Sequence, residues 1–279
     1  MTPPVNSPAV KVVKSVREQV SSEEWQTRVD LAACYRLVAH YGMTDLVYTH
    51  LTARVPGPEH HFLINRYGLL FNEITASNLV KIDGEGQIVG GGDQSQINYA
   101  GFVIHSAVHK ARHDVGCVMH THTTAGMAVS ALKSGLLTLT QTAMRFYGRI
   151  AYHDYEGPAL DLDEQKRLVA DLGVHDAMIL RNHGLLVCAP TVAEAFNIVY
   201  WLERACQAQV AALSCGAELG IPGDNVAKVA AHQYAPGTRR RFGLMEWSTM
   251  LRMLDQTDSS YRNRAGPENL DSRISGFSA

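Results

Sequence analysis

The segment that most constrains how this chain can fold is residues 115–125, where an apolar run ends in two histidines one residue apart. Cys117, Val118 and Met119 predict a short buried strand. Side chains at positions i and i+2 of a strand point to the same face, so His120 and His122 can reach one point in space. Because neutral imidazole is a common ligand of zinc, this pair suggests a metal site.

A third ligand has to come from elsewhere, because a catalytic zinc ion takes three protein ligands and keeps one position open. The candidate is His183, which follows a second apolar run at residues 177–180. Gly184 comes next and lets the chain turn sharply beside a ligand. An isolated His-x-His pair is more often two ordinary strand histidines, but a second strand end with a third histidine favours a metal. We expect Zn²⁺ there, with Mn²⁺ or another divalent ion as the alternatives.

The overall composition favours small-molecule chemistry. A net charge of −2 gives no basic surface field for nucleic acid or for an anionic membrane. No run of about 18 apolar residues is present, and the first residues hold no apolar signal segment, so we expect a cytoplasmic protein that binds neither membrane nor nucleic acid. Five cysteines at irregular spacings fit reduced thiols better than a disulfide framework.

The predicted elements alternate between helix and strand. Ser21 and Glu24 form a capping box that opens a helix closed by Gly42, and Thr191 with Glu194 opens a longer one. Strand patterns and shorter helices lie between them. Besides the central strand, the predicted strands cover residues 46–55, 61–65, 149–155, 177–180 and 185–188, and the shorter helices cover 76–80, 95–112, 124–132, 163–172 and 245–254.

These elements predict an α/β fold. Several neighbouring strands are joined by hairpin-like links, so we expect one mixed or antiparallel sheet with helices on both faces. A polar, proline-containing arm at residues 1–22 precedes the main domain at 23–220. A helical extension with a loosely ordered tail occupies residues 221–279.

The chain resembles the class II aldolase/adducin family over roughly residues 25 to 216. The segments that carry the resemblance are His105-Ser106-Ala107 ahead of His120-Thr121-His122, then Arg181-Asn182-His183-Gly184, then Glu194-Ala195-Phe196. The resemblance implies a three-layer αβα domain in which the three histidines hold a zinc or similar ion. It also implies a homo-oligomer, often a tetramer, whose active sites lie between subunits.

Two departures from the aldolases of this family bear on the substrate. Those enzymes carry an acidic residue, which serves as acid and base, nineteen positions before the first metal histidine, where this chain has Gly101. Their phosphate site is rich in hydroxyl groups. The corresponding segments of this chain, residues 49–52, 65–68 and 99–100, lack most of those hydrogen-bond donors. The resemblance is therefore closer to the adducin branch, and a sugar phosphate is not the expected substrate.

Other candidate site residues lie in loops and at a helix start. Tyr67 and Tyr147 are candidate catalytic residues, because a phenol whose pKa falls from about 10 can exchange a proton. Packing or a subunit contact is the alternative role for each. Arg66 can hold a substrate carboxylate by paired hydrogen bonds, or it can be a solvated loop arginine. Asn65 beside it, and Asn98 on the helix side expected to face the site, are further candidates for substrate binding.

Two functions of different classes follow from these residues. The first is a metal-dependent, aldolase-like lyase that cleaves a carbon–carbon bond of a small hydroxy-carbonyl compound through a metal-stabilised enediolate. An epimerase or a decarboxylase could use the same site. The second is a catalytically silent binding or scaffold module like the adducin head, which Gly101 and the altered loops favour. Three convergent histidines favour the enzyme, because a scaffold does not need a metal-binding triad.

Overall fold

The computed structural model describes residues 15–90, 93–157 and 163–262. Within these ranges seven strands form one sheet: β1 His50–Arg54, β2 Phe62–Ile64, β3 Val80–Ile82, β4 Cys117–Thr121, β5 Ile150–His153, β6 Ala177–Leu180 and β7 Gly184–Ala189. The strand order is β3-β2-β1-β4-β7-β6-β5. Neighbouring strands are antiparallel except β5 and β6, which are parallel. The sheet is therefore mixed, as the hairpin-like links predicted.

Helices cover both faces of this sheet, which confirms the predicted α/β architecture. The helices in the described ranges are α1 Val16–Gln19, α2 Ser22–His40, α3 Tyr99–Ala111, α4 Thr124–Ser130, α5 Gln141–Met144, α6 Glu164–Leu172, α7 Val192–Ser214, α8 Asp224–Tyr234 and α9 Leu244–Thr257.

The central strand β4 is buried from both sides. On one face Met119 lies in a hydrophobic cluster with Leu37 of α2 and Val199 of α7. On the other face Val118 lies in a cluster with Val108 of α3. Because successive residues of a strand point to opposite faces, this double burial explains the unbroken apolar run of β4.

The predicted helix at residues 76–80 is wrong. Residues 76–78 form a turn, and β3 begins at Val80. The buried guanidinium of Arg28 donates hydrogen bonds to the carbonyl oxygens of Ala76 and Leu79, at 3.3 and 2.9 Å. Since a side chain from α2 satisfies these carbonyls, the segment does not need helical hydrogen bonds.

Several other element boundaries differ from prediction. The strand predicted from residue 46 begins only at His50, after an irregular turn. The helix predicted from residue 95 begins at Tyr99, because Asp93 caps a separate 3-10 turn at residues 94–96. The sequence analysis predicts no element in the region of α8. The last residue of this helix, Tyr234, accepts a hydrogen bond on its hydroxyl oxygen from the Gln141 side chain of α5 at 2.7 Å.

The predicted N-terminal arm and C-terminal tail fall partly outside the described residues, which exclude 1–14 and 263–279. In the described part of the extension, α9 packs against α2, and Trp247 Nε1 donates a hydrogen bond to Asp30 Oδ1 at 3.0 Å. Across the described ranges, every helix is too short or too polar to cross a membrane.

Candidate metal centre

Three histidines meet at one end of the central strands. His120 lies in β4, His122 follows the end of that strand, and His183 lies in the tight connection between β6 and β7. The Nε2 atom of His122 is 2.8 Å from Nε2 of His120 and 3.0 Å from Nε2 of His183. One ring nitrogen from each of the three lies within 4.8 Å of the other two. The structure therefore brings together the three residues that the sequence predicted as metal ligands.

The opposite ring nitrogens of two of these histidines have oxygen partners. Nδ1 of His120 lies 3.0 Å from the carbonyl oxygen of Leu185, and Nδ1 of His122 lies 2.9 Å from Oδ2 of Asp45. A carbonyl can only accept, so Nδ1 of His120 carries the proton, and the Asp45 carboxylate favours the same tautomer for His122. The Nε2 lone pairs then face one another. Lone pairs repel unless a cation lies between them, so the donor set fits a divalent metal ion.

The backbone around the site is unusual. Among the described non-glycine residues with positive φ are Leu46 (48°), Thr49 (63°) and Asn182 (56°), and each stands next to a site residue. Such conformations cost free energy and persist only where the surrounding structure enforces them. Asn182, and not Gly184, makes the left-handed turn before β7. Gly184 is needed for space, because a Cβ atom there would lie 2.4 Å from the carbonyl oxygen of Thr121.

Two of the three imidazoles, those of His120 and His183, have pKa values that keep them neutral. Burial, followed by the neighbouring His183, His122 and His50, lowers the pKa of His120 well below its usual value. Burial and then His122 lower the pKa of His183 to about 4. Neutral imidazole is the form that binds metal, so these ligands need no deprotonation at neutral pH.

The imidazole of His50 fills the space that a side chain at position 101 would occupy. A Cβ atom on Gly101 would lie 2.6 Å from three ring atoms of His50. The His50 ring is buried, its centroid is 5.8 Å from that of His120, and neither of its nitrogens makes a well-aligned hydrogen bond within the described ranges. Burial, with His122 and His183 nearby, lowers the pKa of His50 to about 3. A neutral imidazole thus occupies the space beside Gly101, the position where the resemblance implies a carboxylate in the aldolases.

Two more buried histidines continue from His50 along α3. The ring centroids of His50 and His105 are 4.2 Å apart. Nδ1 of His105 and Nε2 of His109 lie 2.7 and 2.8 Å from the Thr52 hydroxyl oxygen, which can donate to one of them and accept from the other. These contacts join α3 to β1, so His105 and His109 have a structural role beside the site.

Of the predicted substrate-binding residues, Asn65 has a structural environment. It is buried, and its Oδ1 accepts a hydrogen bond from the Tyr35 hydroxyl at 2.9 Å. Asn98 is the N-cap residue of α3, and its side chain makes no capping hydrogen bond. Arg66 lies near Asp93, whose pKa is lowered by hydrogen bonds from Ser95 and, to a smaller extent, by that guanidinium. Substrate binding by these residues stays a prediction.

The two predicted catalytic tyrosines lie at different ends of the sheet: Tyr67 follows β2 at the end where the histidines meet, and Tyr147 precedes β5 at the other end. Tyr67 is exposed, and its backbone N–H donates to the Gln96 carbonyl at 2.7 Å. Tyr147 stands between Phe146 and Arg149, which line a cavity at the opposite end of the sheet. Within the described ranges, neither tyrosine forms a hydrogen bond or ring contact with the three histidines. Their catalytic role stays a prediction.

Sequence reasoning missed Asp45, His50 and Tyr155. The Tyr155 ring packs edge-on against His183 with centroids 6.2 Å apart, and 54% of Tyr155 is exposed. Together with Lys133 it borders an open cleft of about 540 Å³ beside His183. No local pattern could have identified Asp45, because its contact with His122 joins residues far apart in the chain. For His50, the sequence feature that could have identified it was Gly101, because a residue without a side chain leaves room for a neighbouring ring.

Comparison with known proteins places the chain in a family. Residues 29–210 match the family described as Class II Aldolase and Adducin N-terminal domain. A Pseudomonas aeruginosa protein provisionally named as an aldolase class 2 protein is 52% identical over 251 residues, which cover 88% of this chain and 96% of that protein. Alpha-adducin of Rattus norvegicus is 41% identical over 245 residues, which cover 82% of this chain and 33% of that protein. The chain thus spans about a third of the adducin.

Solved structures show the same relationship. An aldolase II superfamily protein from Pseudomonas syringae has a TM-score of 0.84 and 52% identity, over 89% of this chain and 100% of that chain. L-fuculose 1-phosphate aldolase from Glaciozyma antarctica has a TM-score of 0.74 and 31% identity, over 84% of this chain and 92% of that chain.

Proposed function

Since the chain belongs to the class II aldolase and adducin family, we propose that it is a metal-dependent lyase that cleaves a carbon–carbon bond of a small hydroxy-carbonyl compound. The observation that carries this proposal is the convergence of three Nε2 atoms, two of them on imidazoles held by oxygen partners at Nδ1. A catalytically silent module does not require this costly arrangement of buried and partly buried imidazoles.

His120, His122 and His183 would hold a divalent ion, for which we propose zinc and, as alternatives, manganese or another divalent metal. Such an ion, when bound, supplies Lewis-acid stabilisation of negative charge that develops on a substrate oxygen. Asp45 fixes the orientation of His122, and the Leu185 carbonyl fixes that of His120. These partners keep the ligand geometry constant while substrate enters the cleft.

The chain's own groups would bind and orient the substrate. The cleft beside His183 carries the exposed phenol of Tyr155 and the ammonium group of Lys133, and both can approach a polar substrate. His50 places a neutral imidazole beside Gly101, where the resemblance implies a carboxylate in the family's aldolases, so the site has no negative charge there. This difference, with the altered anion loops, favours a non-phosphorylated or carboxylated substrate over a sugar phosphate.

The alternative function is a binding module like the adducin head. It is supported by Gly101, which removes the family's acidic residue, and by the identity to alpha-adducin. The metal content separates the two functions, because the adducin-like role does not depend on a bound ion.

We also propose that the protein acts in the cytoplasm as a homo-oligomer, with a tetramer as the expected form. Leu46 and Tyr48 stand beside the metal centre and are 70% and 48% exposed, which suits a site completed by a neighbouring subunit. Sedimentation equilibrium of the full chain tests the assembly, and a monomer at micromolar concentration would contradict it.

The decisive experiment is elemental analysis of the purified protein beside His122→Ala and His183→Ala, with His232→Ala as a control at an exposed histidine. We expect near-stoichiometric zinc or manganese in the wild type and in the control, and its loss in both site variants. The loaded protein is then screened with hydroxy-carbonyl acids, and carbonyl products are identified by mass spectrometry, which also separates cleavage from epimerisation or decarboxylation. A wild type that stays metal-free after incubation with divalent ions contradicts the proposed lyase.

A further inference from the structure

We propose that a cavity at the opposite end of the sheet from the histidines is a second binding site, for a small carboxylic acid with an aromatic or branched apolar body. The cavity has a volume of about 540 Å³ and begins at the strand ends, at Val115 before β4, Ala177 of β6 and Ala189 of β7. Ligand pockets commonly measure about 300 to 1,000 Å³, so this volume suits a small organic molecule.

The cavity lies well away from the metal centre. Val115, two residues before β4, lines the cavity, and β4 ends at the histidines; β7 runs the other way between the same two ends. A strand rises about 3.3 Å per residue, so five to six residues separate the two sites by roughly 15 to 20 Å. Neither His120, His122 nor His183 lines the cavity. The proposal is therefore independent of the proposed lyase function.

The walls are largely aromatic and apolar. Phe146 follows α5, Ile198 and Trp201 project from α7, and Tyr234 and Phe242 come from α8 and the loop after it. Because these side chains belong to three separate helical segments, the extension after α7 completes the cavity. Such walls bury an apolar ligand body, and flat aromatic rings favour a flat ligand.

The feature that defines the ligand's charge is Arg145. Its guanidinium carbon lies 4.6 Å from the ring centroid of Trp201, 4.0 Å from that of Tyr234 and 5.5 Å from that of Phe242. Among the residues that the structure describes, no carboxylate forms an ion pair with it. The nearby Glu246 is engaged with Arg240, at 2.5 and 3.1 Å. Arg145 therefore presents a stacked, orientated cation whose donors suit a carboxylate.

The other three arginines of the lining already have acidic partners. Arg112 pairs with Asp114 at 2.8 Å, Arg149 with Asp176 at 3.4 Å, and Arg241 with Glu194 at 2.7 Å. The lining thus carries four arginines and three carboxylates, with one positive charge in excess. A ligand with a single negative charge would neutralise that excess, whereas a phosphate dianion would leave a surplus of negative charge in a largely apolar cavity.

The test is isothermal titration calorimetry of the full-length, metal-loaded protein with 3-phenylpropanoate as the probe. Two comparison compounds separate the contributions: 3-phenylpropanamide keeps the body without the charge, and acetate keeps the charge without the body. We expect one 3-phenylpropanoate per chain and at least about ten-fold weaker binding of both comparison compounds, because each lacks half of the proposed recognition. No binding of the acid at about 5 mM, or equal binding of acid and amide, would overturn the proposal.

Variants locate the binding. Arg145→Met is expected to weaken the probe at least about ten-fold, while Arg145→Lys keeps part of the affinity because it keeps the charge. Arg204→Met is the matched control, since Arg204 is an exposed arginine on the same helix as Trp201 and does not line the cavity. His122→Ala is expected to bind the probe normally, and loss of binding there would place the probe at the metal centre and refute the second site. If Arg145→Met fails to fold by circular dichroism, the acid-against-amide comparison on the wild type still decides.

Discussion

The two ends of β4, β6 and β7 carry opposite chemistry on one scaffold. At one end three imidazoles converge, and His120 is only 2% exposed. At the other end four arginines and three carboxylates surround an apolar cavity, and the Arg241 side chain is 52% exposed. The histidine end is built from the sheet and its tight turns, whereas the arginine end is completed by helices that follow the family's domain.

This difference indicates how each end tolerates change. The histidines are held by backbone groups and by residues in strained conformations, so small shifts there have large costs. Three of the four arginines are held by ion pairs with flexible side chains near solvent, and such pairs contribute little individually. We therefore expect the histidine end to be sensitive to single substitutions and the arginine end to be robust in stability.

The largest effect is expected from Gly101→Ala. Glycine to alanine inside a helix normally stabilises by about 1 kcal/mol, but here the new Cβ atom would lie 2.6 Å from the His50 ring. We expect a loss of about 2 to 3 kcal/mol in the free energy of unfolding, measured by urea denaturation. Gly220→Ala, at a glycine with open space around it, is the control. In a His50→Ala background the Gly101→Ala substitution should no longer lower the free energy of unfolding. An unchanged loss in that background would show that the new Cβ atom does not clash with the His50 ring.

A pH effect should distinguish the buried histidines. Burial, together with the nearby Arg54, lowers the pKa of His109 to about 3, so above that pH the folded state holds it neutral. The unfolded chain takes up the proton below about pH 6.5, so stability is fully present above 6.5 and is lost as the pH falls towards 3.

The measurement is the stability of wild type and His109→Gln between pH 7 and 5. The glutamine can keep a hydrogen bond to Thr52 but cannot titrate. The wild type should lose about 2 kcal/mol more than the variant by pH 5. His232→Gln, at an exposed histidine, should follow the wild type. Parallel curves for wild type and His109→Gln would contradict a buried neutral His109.

A smaller effect is expected from Asp45→Ala. The substitution removes the oxygen that lies 2.9 Å from Nδ1 of His122, and partners of this kind raise metal affinity about ten-fold or more. We expect about ten-fold weaker zinc binding in competition titrations with a chromophoric chelator, equal to about 1.4 kcal/mol. Asp45→Asn, which keeps an acceptor oxygen, should lose less. If alanine and asparagine bind zinc like the wild type, the carboxylate does not orient His122.

The smallest effect is expected at the arginine end. Arg241→Gln removes a two-point ion pair with Glu194, which keeps its hydrogen bond from Thr191 at 2.7 Å. Because the arginine is half exposed, we expect about 0.5 kcal/mol, and less in high salt. Urea denaturation at low and high ionic strength measures it. A loss of several kcal/mol that salt does not reduce would contradict the expectation that the arginine end tolerates single substitutions better than the histidine end.

The fold class and the three histidines that meet at one point could both be predicted from the sequence. The apolar run of residues 117–119 predicted β4. The alternation of side chains along a strand predicted that His120 and His122 point to the same face, because side-chain direction along a strand is a local property. His183 was found by the same local logic at a second strand end. The predicted helix at residues 76–80 failed because its carbonyls are satisfied by Arg28, a contact that no local pattern encodes.

The surroundings of these histidines depend on how the elements pack together. His50 lies over Gly101 because β1 pairs with β4 beneath α3, and Asp45 reaches His122 from a turn before β1. The cavity around Arg145 exists because α5, α7 and α8 meet at the far end of the sheet. Each of these contacts joins residues distant in the chain, so it follows from how the elements pack and not from the local pattern that forms them.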